Sequence, residues 1–345
     1  MASSKQQALF LEAKFGNFAI RTVDVPKPGA GEVLVKVQSV ALNPLDWKVQ
    51  KYGVFVDRFP AVLGSDIAGD VVEIGEGVSG FEVGDRVFFQ GLSTNDSRGF
   101  QQYAKTTYPF IGKIPHNLTY DDASTISVTA FTSYLALFQK SPSGFGLPNI
   151  LVEGRDKPVQ QAIVILGGAS QVGQFALQLA KLGGLSPIIT TASLKHADYL
   201  KSLGATHVID RNASPDAISS EVSKITGSRG VKYVIDAIAT PETQQFGYDL
   251  LSTDGEIALV LPDAIKSKVE GRKVHPVAAF ATLPQHHELA TIFFKNITSL
   301  LAEGVLKPTP VEVLPNGLTG ITDGLKRLEN NQVSGIKLVA RPQET

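Results

Sequence analysis

The stretch from Ala162 to Gly184, AIVILGGASQVGQFALQLAKLGG, sets an apolar run before a glycine loop and a helix-like repeat. That order presents backbone amides, and the positive end of a helix, to a phosphate. The dinucleotide fingerprint G-x-G-x-x-G is met at Gly168 and Gly173, with Ser170 where its second glycine belongs. Gly168 is expected to make the tight turn and Gly173 to let the helix pack close to its strand. Ser170, followed by Gln171 and Val172, is expected to meet the pyrophosphate, where a small hydroxyl fits and can donate to a phosphate oxygen.

The following apolar run selects the dinucleotide. An NAD site places Asp or Glu about 20 residues on, to hold the ribose 2′-hydroxyl. Here IITTASLKHADY offers Thr191, Ser193, Lys195 and His196, and no carboxylate before Asp198. Hydroxyls and cations suit a 2′-phosphate, so NADPH is the expected cofactor; the alternative is a capping Ser193 beside a solvated Lys195.

Composition narrows the chemistry. The 345 residues carry a formal net charge of -1 and no long block of like charge, which gives no footprint for nucleic acid or an anionic membrane. There is no cysteine, which removes disulfides, thiolate nucleophiles and cysteine-ligated metal sites. Of the six histidines only His286 and His287 are close in sequence, and neighbours on a helix point apart, so both are expected on the surface with no metal. The N-terminal MASSKQQALFLEAKFG has no basic segment before an apolar run, and no stretch approaches membrane-spanning length. A cytoplasmic protein is expected.

These residues need two kinds of support. Up to about residue 120, short runs such as EVLVKVQSVAL, DIAGDVVEIG, DRVFFQ and QQYAKTT, broken by Gly and Pro, predict a mostly antiparallel β-domain. No periodic helix is expected before YDDASTISVTAFTSYLALF, whose start Asp121 or Asp122 can cap. After residue 160, apolar strands alternate with helices, which predicts a Rossmann-like parallel sheet covered on both faces. The segment KSPSGFGLPNILVEGRDKPVQQ reads as a surface loop or insertion, with a lid as its functional alternative. Past residue 285, an amphipathic helix, VEVLP, a short helix and GIKLVA are too few for a third domain and are expected to return to the first.

ALNPLDWKVQKYG, VLGSDIAGDVVEIGEGVSGFEVGDRV and the C-terminal GLTGITDGLKRLENNQVSGIKLV carry a resemblance over nearly the whole chain. The sequence resembles the medium-chain dehydrogenases/reductases, which comprise zinc alcohol dehydrogenases, quinone oxidoreductases and enoyl reductases. The resemblance implies an α/β fold in which a GroES-like β-domain, residues 1–126 and 288–345, is interrupted by a doubly wound Rossmann domain, 127–287. Zinc members place a cysteine at or near Asn43 and Gly-His-Glu at Gly64-Ser65-Asp66. With those ligands absent the chain resembles the zinc-free branch, and GGASQVGQFALQLAK is most similar to fungal trans-acting enoyl reductases that partner polyketide synthases.

That resemblance implies a reaction. Ketone reduction needs a polarised carbonyl, for which zinc is the superfamily's usual Lewis acid. An enone or enoyl thioester instead takes hydride at its β-carbon, and hydrogen-bond donors can hold the developing enolate. Asn43 and Asp46 resemble an Asn-Pro-x-Asp turn near the nicotinamide, with an Asx turn as the alternative. Lys48 either pairs with Asp46, carries a proton or is solvated. Tyr52 is a candidate acid, because Phe55 stands where some relatives have tyrosine. Thr129 matches a threonine beside the nicotinamide, its alternative being a hydroxyl bonded within its helix. Asp236, Val260 and Leu261 resemble positions bordering the cofactor, and the Arg211 guanidinium suits the 2′-phosphate.

The expected reaction is NADPH-dependent, zinc-independent reduction of an activated C=C bond in a small unsaturated carbonyl compound or acyl thioester. The alternatives are quinone oxidoreduction and a non-catalytic NADPH-binding or partner-binding role. A monomer and a homodimer through the Rossmann edge strand both remain open.

Overall fold

The computed structural model describes residues 4–155 and 158–345. The first residues of the N-terminal reading and part of the loop read between 140 and 161 lie outside that range. The described residues form two units, one ending at Val128 and resuming over Phe280–Thr345, the other lying within Thr129–Ala279.

In the first unit, β1 (Lys5–Leu11), in which Ala8, Leu9, Phe10 and Leu11 are all buried, pairs antiparallel with the more exposed β2 (Phe18–Asp24). Strand β3 (Glu32–Ala41) leads into α1 (Pro44–Tyr52), followed by β4 (Ala61–Val62), β5 (Asp66–Ile74), β6 (Arg86–Gln90), β7 (Tyr103–Thr107) and β8 (Ile111–Lys113). Helix α1 departs from the sequence expectation. It is short and polar, burying only Asp46 and Val49, so it carries almost no apolar periodicity; Pro44 at its first turn and the left-handed Gly53 at its end define it instead.

Thr119, rather than Asp121 or Asp122, caps α2 (Tyr120–Ala123) by accepting from the Asp122 amide at 3.1 Å. The Asp122 carboxylate answers by accepting from the Thr119 N–H, a reciprocal pair that satisfies two otherwise unpaired donors. Helix α3 (Ser127–Phe138) follows and runs into the second unit.

The second unit is a six-stranded sheet of β9 (Ile163–Leu166), β10 (Ile188–Ala192), β11 (His207–Asp210), β12 (Val231–Asp236), β13 (Leu251–Leu259) and β14 (Lys273–Pro276). All neighbours are parallel, in the spatial order β11-β10-β9-β12-β13-β14. This is the doubly wound arrangement whose order reverses beside β9. Helices α4 (Gln171–Leu182), α5 (Ala197–Leu203), α6 (Pro215–Thr226) and α7 (Pro241–Asp249) connect the strands.

The first half of the loop after α3 is docked rather than freely exposed. Phe145, Leu147 and Ile150 are buried, and amides of Phe145 and Leu147 bond back to Ala136 and Leu137. His275 on β14 reaches both the Pro142 carbonyl, at 3.0 Å, and Glu256, at 2.7 Å, tying that loop to the sheet.

The chain then returns to the first unit through α8 (His287–Ala302), β15 (Val311–Val313), α9 (Ile321–Glu329) and β16 (Lys337–Ala340). Strand β16 pairs antiparallel with the end of β3, Val339 opposite Ala41, while Ala41 also faces Asp66 at the start of β5. Three distant segments thus converge where β3 turns into α1. His286 is buried, contrary to the surface expectation, because its ring folds back to donate to the Phe280 carbonyl at 3.0 Å; His287 remains exposed beside Phe110.

Candidate functional site

In the first unit, the convergence of β3, β5 and β16 encloses a polar cluster. Asn43 is the N-cap of α1, yet its side chain does not cap the helix. Its Nδ2 donates to Asp66 Oδ2 at 2.9 Å, and its Oδ1 accepts from the Lys337 ammonium at 2.7 Å.

Asp66 is wholly buried and fully engaged. It accepts from the Ser127 hydroxyl at 2.7 Å, the Val128 amide at 2.6 Å and Lys337 Nζ at 3.1 Å, besides Asn43. Lys337 is 1% exposed. A buried ammonium is tolerable only with such partners, and here it has two.

Asp46 closes the α1 entry from the other side. Its carboxylate accepts from the Asn43 amide at 2.7 Å and the Gly64 amide at 3.3 Å. Burial pushes its pKa up to about 6, a rise that those amides and the charges of Arg98 and Lys337 only partly oppose. Lys48 makes no ion pair with Asp46; its Nζ lies 5.7 Å from the Trp47 ring centroid, half-buried, and burial lowers its pKa. Tyr52, four residues on along α1, is 53% exposed and packs on Trp47 with ring centroids 5.8 Å apart.

The donor set at the positions of zinc ligands does not fit a zinc ion. Ser65 offers a hydroxyl, Asn43 an amide already bonded to Lys337, and the Asp66 lone pairs are taken up by protein donors. Among the described residues no group of His, Cys, Asp and Glu side chains is placed to hold a metal.

In the second unit, the loop after β9 is formed as a phosphate cradle. The left-handed residue is Gly167, at φ +82°, so Gly167 rather than Gly168 makes the turn. Gly168 serves close approach: a Cβ there would lie 2.1 Å from Thr190 Oγ1. A Cβ at Gly173 would lie 2.3 Å from the Gly167 carbonyl oxygen, so only glycine lets α4 start this near the turn. Ser170 is the N-cap of α4 and accepts from the Gly173 amide at 3.0 Å, which leaves its hydroxyl proton to donate. Gln171 and Val172 form the first turn of that helix, where the backbone amides and dipole favour an anion.

Beyond β10, Ser193 precedes a 3-10 turn carrying Lys195 and His196. Burial lowers the His196 pKa first, and the charges of Lys195 and Arg211 lower it further, so these three groups lie near one another. Ser193 makes no capping bond with its side chain. These residues could hold the phosphates of a nicotinamide dinucleotide.

Asp236 ends β12 with its carboxylate accepting from the Ile238 and Ala239 amides, at 3.0 and 2.9 Å, and from Thr243 Oγ1, at 2.7 Å. Those bonds cap the strand end, although burial still raises its pKa. Val260 and Leu261 follow β13, partly exposed. Thr129 is buried in the first turns of α3.

Sequence reasoning did not single out Lys337, Arg98 or Ser127. A lysine opening the apolar run KLVA, where a strand should be buried, was the available signal for the first. Nothing local marks the other two.

Comparison with known proteins adds the family context. Residues 29–129 match the alcohol dehydrogenase GroES-like domain, and residues 172–269 match the zinc-binding dehydrogenase domain. The chain is similar to a trans-enoyl reductase of Pyricularia oryzae, 30% identical over 97% of this chain and 98% of that protein. It is also similar to a trans-enoyl reductase of Gibberella zeae, 35% identical over 92% and 91%. Among solved structures, an alcohol dehydrogenase superfamily protein from Novosphingobium aromaticivorans superposes with a TM-score of 0.79 at 23% identity, covering 96% of this chain and 99% of that one. Among the described residues no helix is long and apolar enough to cross a membrane.

Proposed function

The chain belongs to the medium-chain dehydrogenase/reductase family, in its fungal trans-enoyl reductase branch, and from that premise we propose that it reduces the activated C=C bond of an enoyl thioester or enone with NADPH and without zinc. Its acyl substrate is carried by a polyketide synthase partner, and the reaction takes place in the cytoplasm.

One observation carries this reading: the Lys337 ammonium sits between Asn43 and Asp66, so fixed hydrogen-bond donors occupy the place that a metal-ligand set would need. Such a site favours an acceptor whose developing negative charge hydrogen bonds can hold. Lys195, His196 and Arg211, with no carboxylate before Asp198, support a 2′-phosphate on the cofactor. Gly168, Ser170, Gln171, Val172 and Gly173 would hold its pyrophosphate, with Ser193, Asp236, Val260 and Leu261 along its length. When bound, the reduced nicotinamide supplies hydride. Asn43 and Asp46 fix the entry to α1, Lys48 holds a proton for the substrate α-carbon, Tyr52 is the alternative acid, and Thr129 orders the nicotinamide end.

The test follows NADPH consumption across enoyl thioesters, small enones and quinones, after removal of metals by chelation. Turnover of enoyl thioesters by the chelated protein is the expected result. Tight NADPH binding with no acceptor reduced, or activity confined to quinones, overturns the proposal.

A further inference from the structure

Arg98 stands at the rim of the first unit's polar cluster with most of its hydrogen-bonding capacity unused. Its Nη1 donates to Ser65 Oγ at 2.8 Å, and among the described residues no other acceptor meets the guanidinium. No carboxylate lies within ion-pair distance of it there; Asp46 acts on it through space alone. Arg98 is half-buried, so this charge is only partly hydrated. A planar fork with four N–H donors unspent is a receptor for an oxygen bearing negative charge.

The backbone around Arg98 is held from several sides. The Gly91 amide donates to the Ser65 carbonyl at 2.8 Å, Gly99 to Gly64 at 2.9 Å and Phe100 to Leu63 at 2.9 Å. The Gln101 side chain donates to the Arg98 carbonyl at 2.8 Å, and Asn95 accepts from the Val62 amide at 3.0 Å. A Cβ at Gly91 would lie 2.7 Å from the Gly64 oxygen, and one at Gly99 would lie 2.6 Å from Val40. This rigid clamp fixes the guanidinium against the segment that also supplies an amide to Asp46. Preorganised donors of this kind do not have to reorient when charge develops.

We propose that Arg98, positioned by Ser65, is a catalytic residue that binds the carbonyl oxygen of the unsaturated acceptor and holds the enolate formed from it. The assignment rests on the function proposed above. Hydride from the reduced nicotinamide brings two electrons to a new C–H bond at the β-carbon. The C=C pair shifts to join the α-carbon and the carbonyl carbon, and the carbonyl pair moves onto oxygen, where Arg98 donates to it. A proton then adds at the α-carbon, the enolate pair forms that C–H bond, and the carbonyl is restored. The lone charge on oxygen exists only between those steps, so Arg98 acts mainly on turnover and less on ground-state binding.

The test uses the whole protein with the crotonyl thioester of N-acetylcysteamine and with the acetoacetyl thioester, whose keto form has no C=C bond to reduce and whose enolate carries the charge that Arg98 would hold. Arg98→Ala should lower kcat about 100-fold, and guanidinium chloride added at tens of millimolar should restore part of that loss without stimulating the wild type. Calorimetric affinity for the acetoacetyl thioester should fall at least tenfold, while NADPH affinity and melting temperature stay unchanged. Arg98→Lys should fall between the two, and Arg98→Gln provides a second readout if the alanine variant folds poorly. Folded variants that keep kcat and acetoacetyl affinity within threefold of the wild type overturn the assignment alone. A wild-type protein that reduces no enoyl thioester overturns the proposed function, and this inference with it.

Discussion

Lys337 Nζ lies 2.7 Å from Asn43 Oδ1, although 294 positions of sequence separate them. The same ammonium is 3.1 Å from the buried Asp66 carboxylate, so the last strand of the chain locks the turn on which α1 begins. Lys337→Met should therefore strand a buried carboxylate and destabilise the first unit by about 3–5 kcal/mol. Urea unfolding followed in both variants gives the check: Asp66→Asn combined with Lys337→Met should recover part of the loss, because no lone charge remains. A loss below about 1 kcal/mol for Lys337→Met would rule out the ion pair as a structural element.

Asp46 makes stability pH-dependent in an unusual direction for a carboxylate. Burial raises its folded pKa to about 6, from the ordinary carboxylate value of 3.8, so folding favours the protonated form. Its contribution is full below the unfolded pKa and is lost as pH rises through about 6. Between pH 4.5 and 7.5 the wild type should lose roughly 2 kcal/mol relative to Asp46→Asn, whatever constant cost that substitution adds. Parallel slopes for the two proteins would show that Asp46 does not titrate in this window.

Much of the architecture is legible in the sequence because buried parallel strands are continuous apolar runs: IVIL, IITTA and KYVID alternate with helices, and the sheet follows. Helix α1 escapes that logic, since Asp46 and Val49 alone are buried and capping, not periodicity, defines it. The choice of Gly167 over Gly168 for the turn depends on φ, which a Gly-Gly pair does not disclose. The cluster of Asn43, Asp66 and Lys337 is hidden for another reason. Lys337 at the head of KLVA signals a lysine in a buried strand but not its partners, and only strand pairing across the length of the chain brings it to Asn43 and Asp66.

Gly168 and Gly173 should respond differently to a methyl group. At Gly168 the new Cβ meets the Thr190 side chain, which can be shortened; at Gly173 it meets the Gly167 backbone, which cannot. Gly168→Ala should weaken NADPH binding at least tenfold, and adding Thr190→Ala should restore part of it despite losing the Thr190 bond to the Ile165 carbonyl. No such partner rescues Gly173→Ala. Fluorescence titration of these three variants beside the wild type decides, and a Gly168→Ala protein that binds like the wild type would remove the close-approach argument.

Lys195 and Arg211, the charges that act on His196, are the groups on which the proposed preference for NADPH is to be tested. Lys195→Ala should weaken NADPH binding about tenfold, roughly 1.4 kcal/mol, and leave NADH binding nearly unchanged. Arg211→Ala should do the same more strongly if its guanidinium makes a two-point contact with phosphate. Equal losses for both dinucleotides would refute the reading of these residues as a 2′-phosphate site.

Lys48 is the last group to place. It is half-buried, has no ion pair with Asp46, and burial lowers its pKa. Tyr52 lies on the same face of α1 but is more exposed, and its ring packs on Trp47. A proton delivered by a fixed ammonium reaches one face of the α-carbon, whereas water reaches both. Reduction of a crotonyl thioester in heavy water should thus place deuterium on a single face at the α-carbon in the wild type and in Tyr52→Phe. Lys48→Met should lower kcat about 100-fold and give product deuterated on both faces, resolved by proton NMR after the butyrate is esterified with a single enantiomer of methyl mandelate, which makes the two α-hydrogens distinguishable. Single-face labelling by Lys48→Met would show that another group delivers the proton.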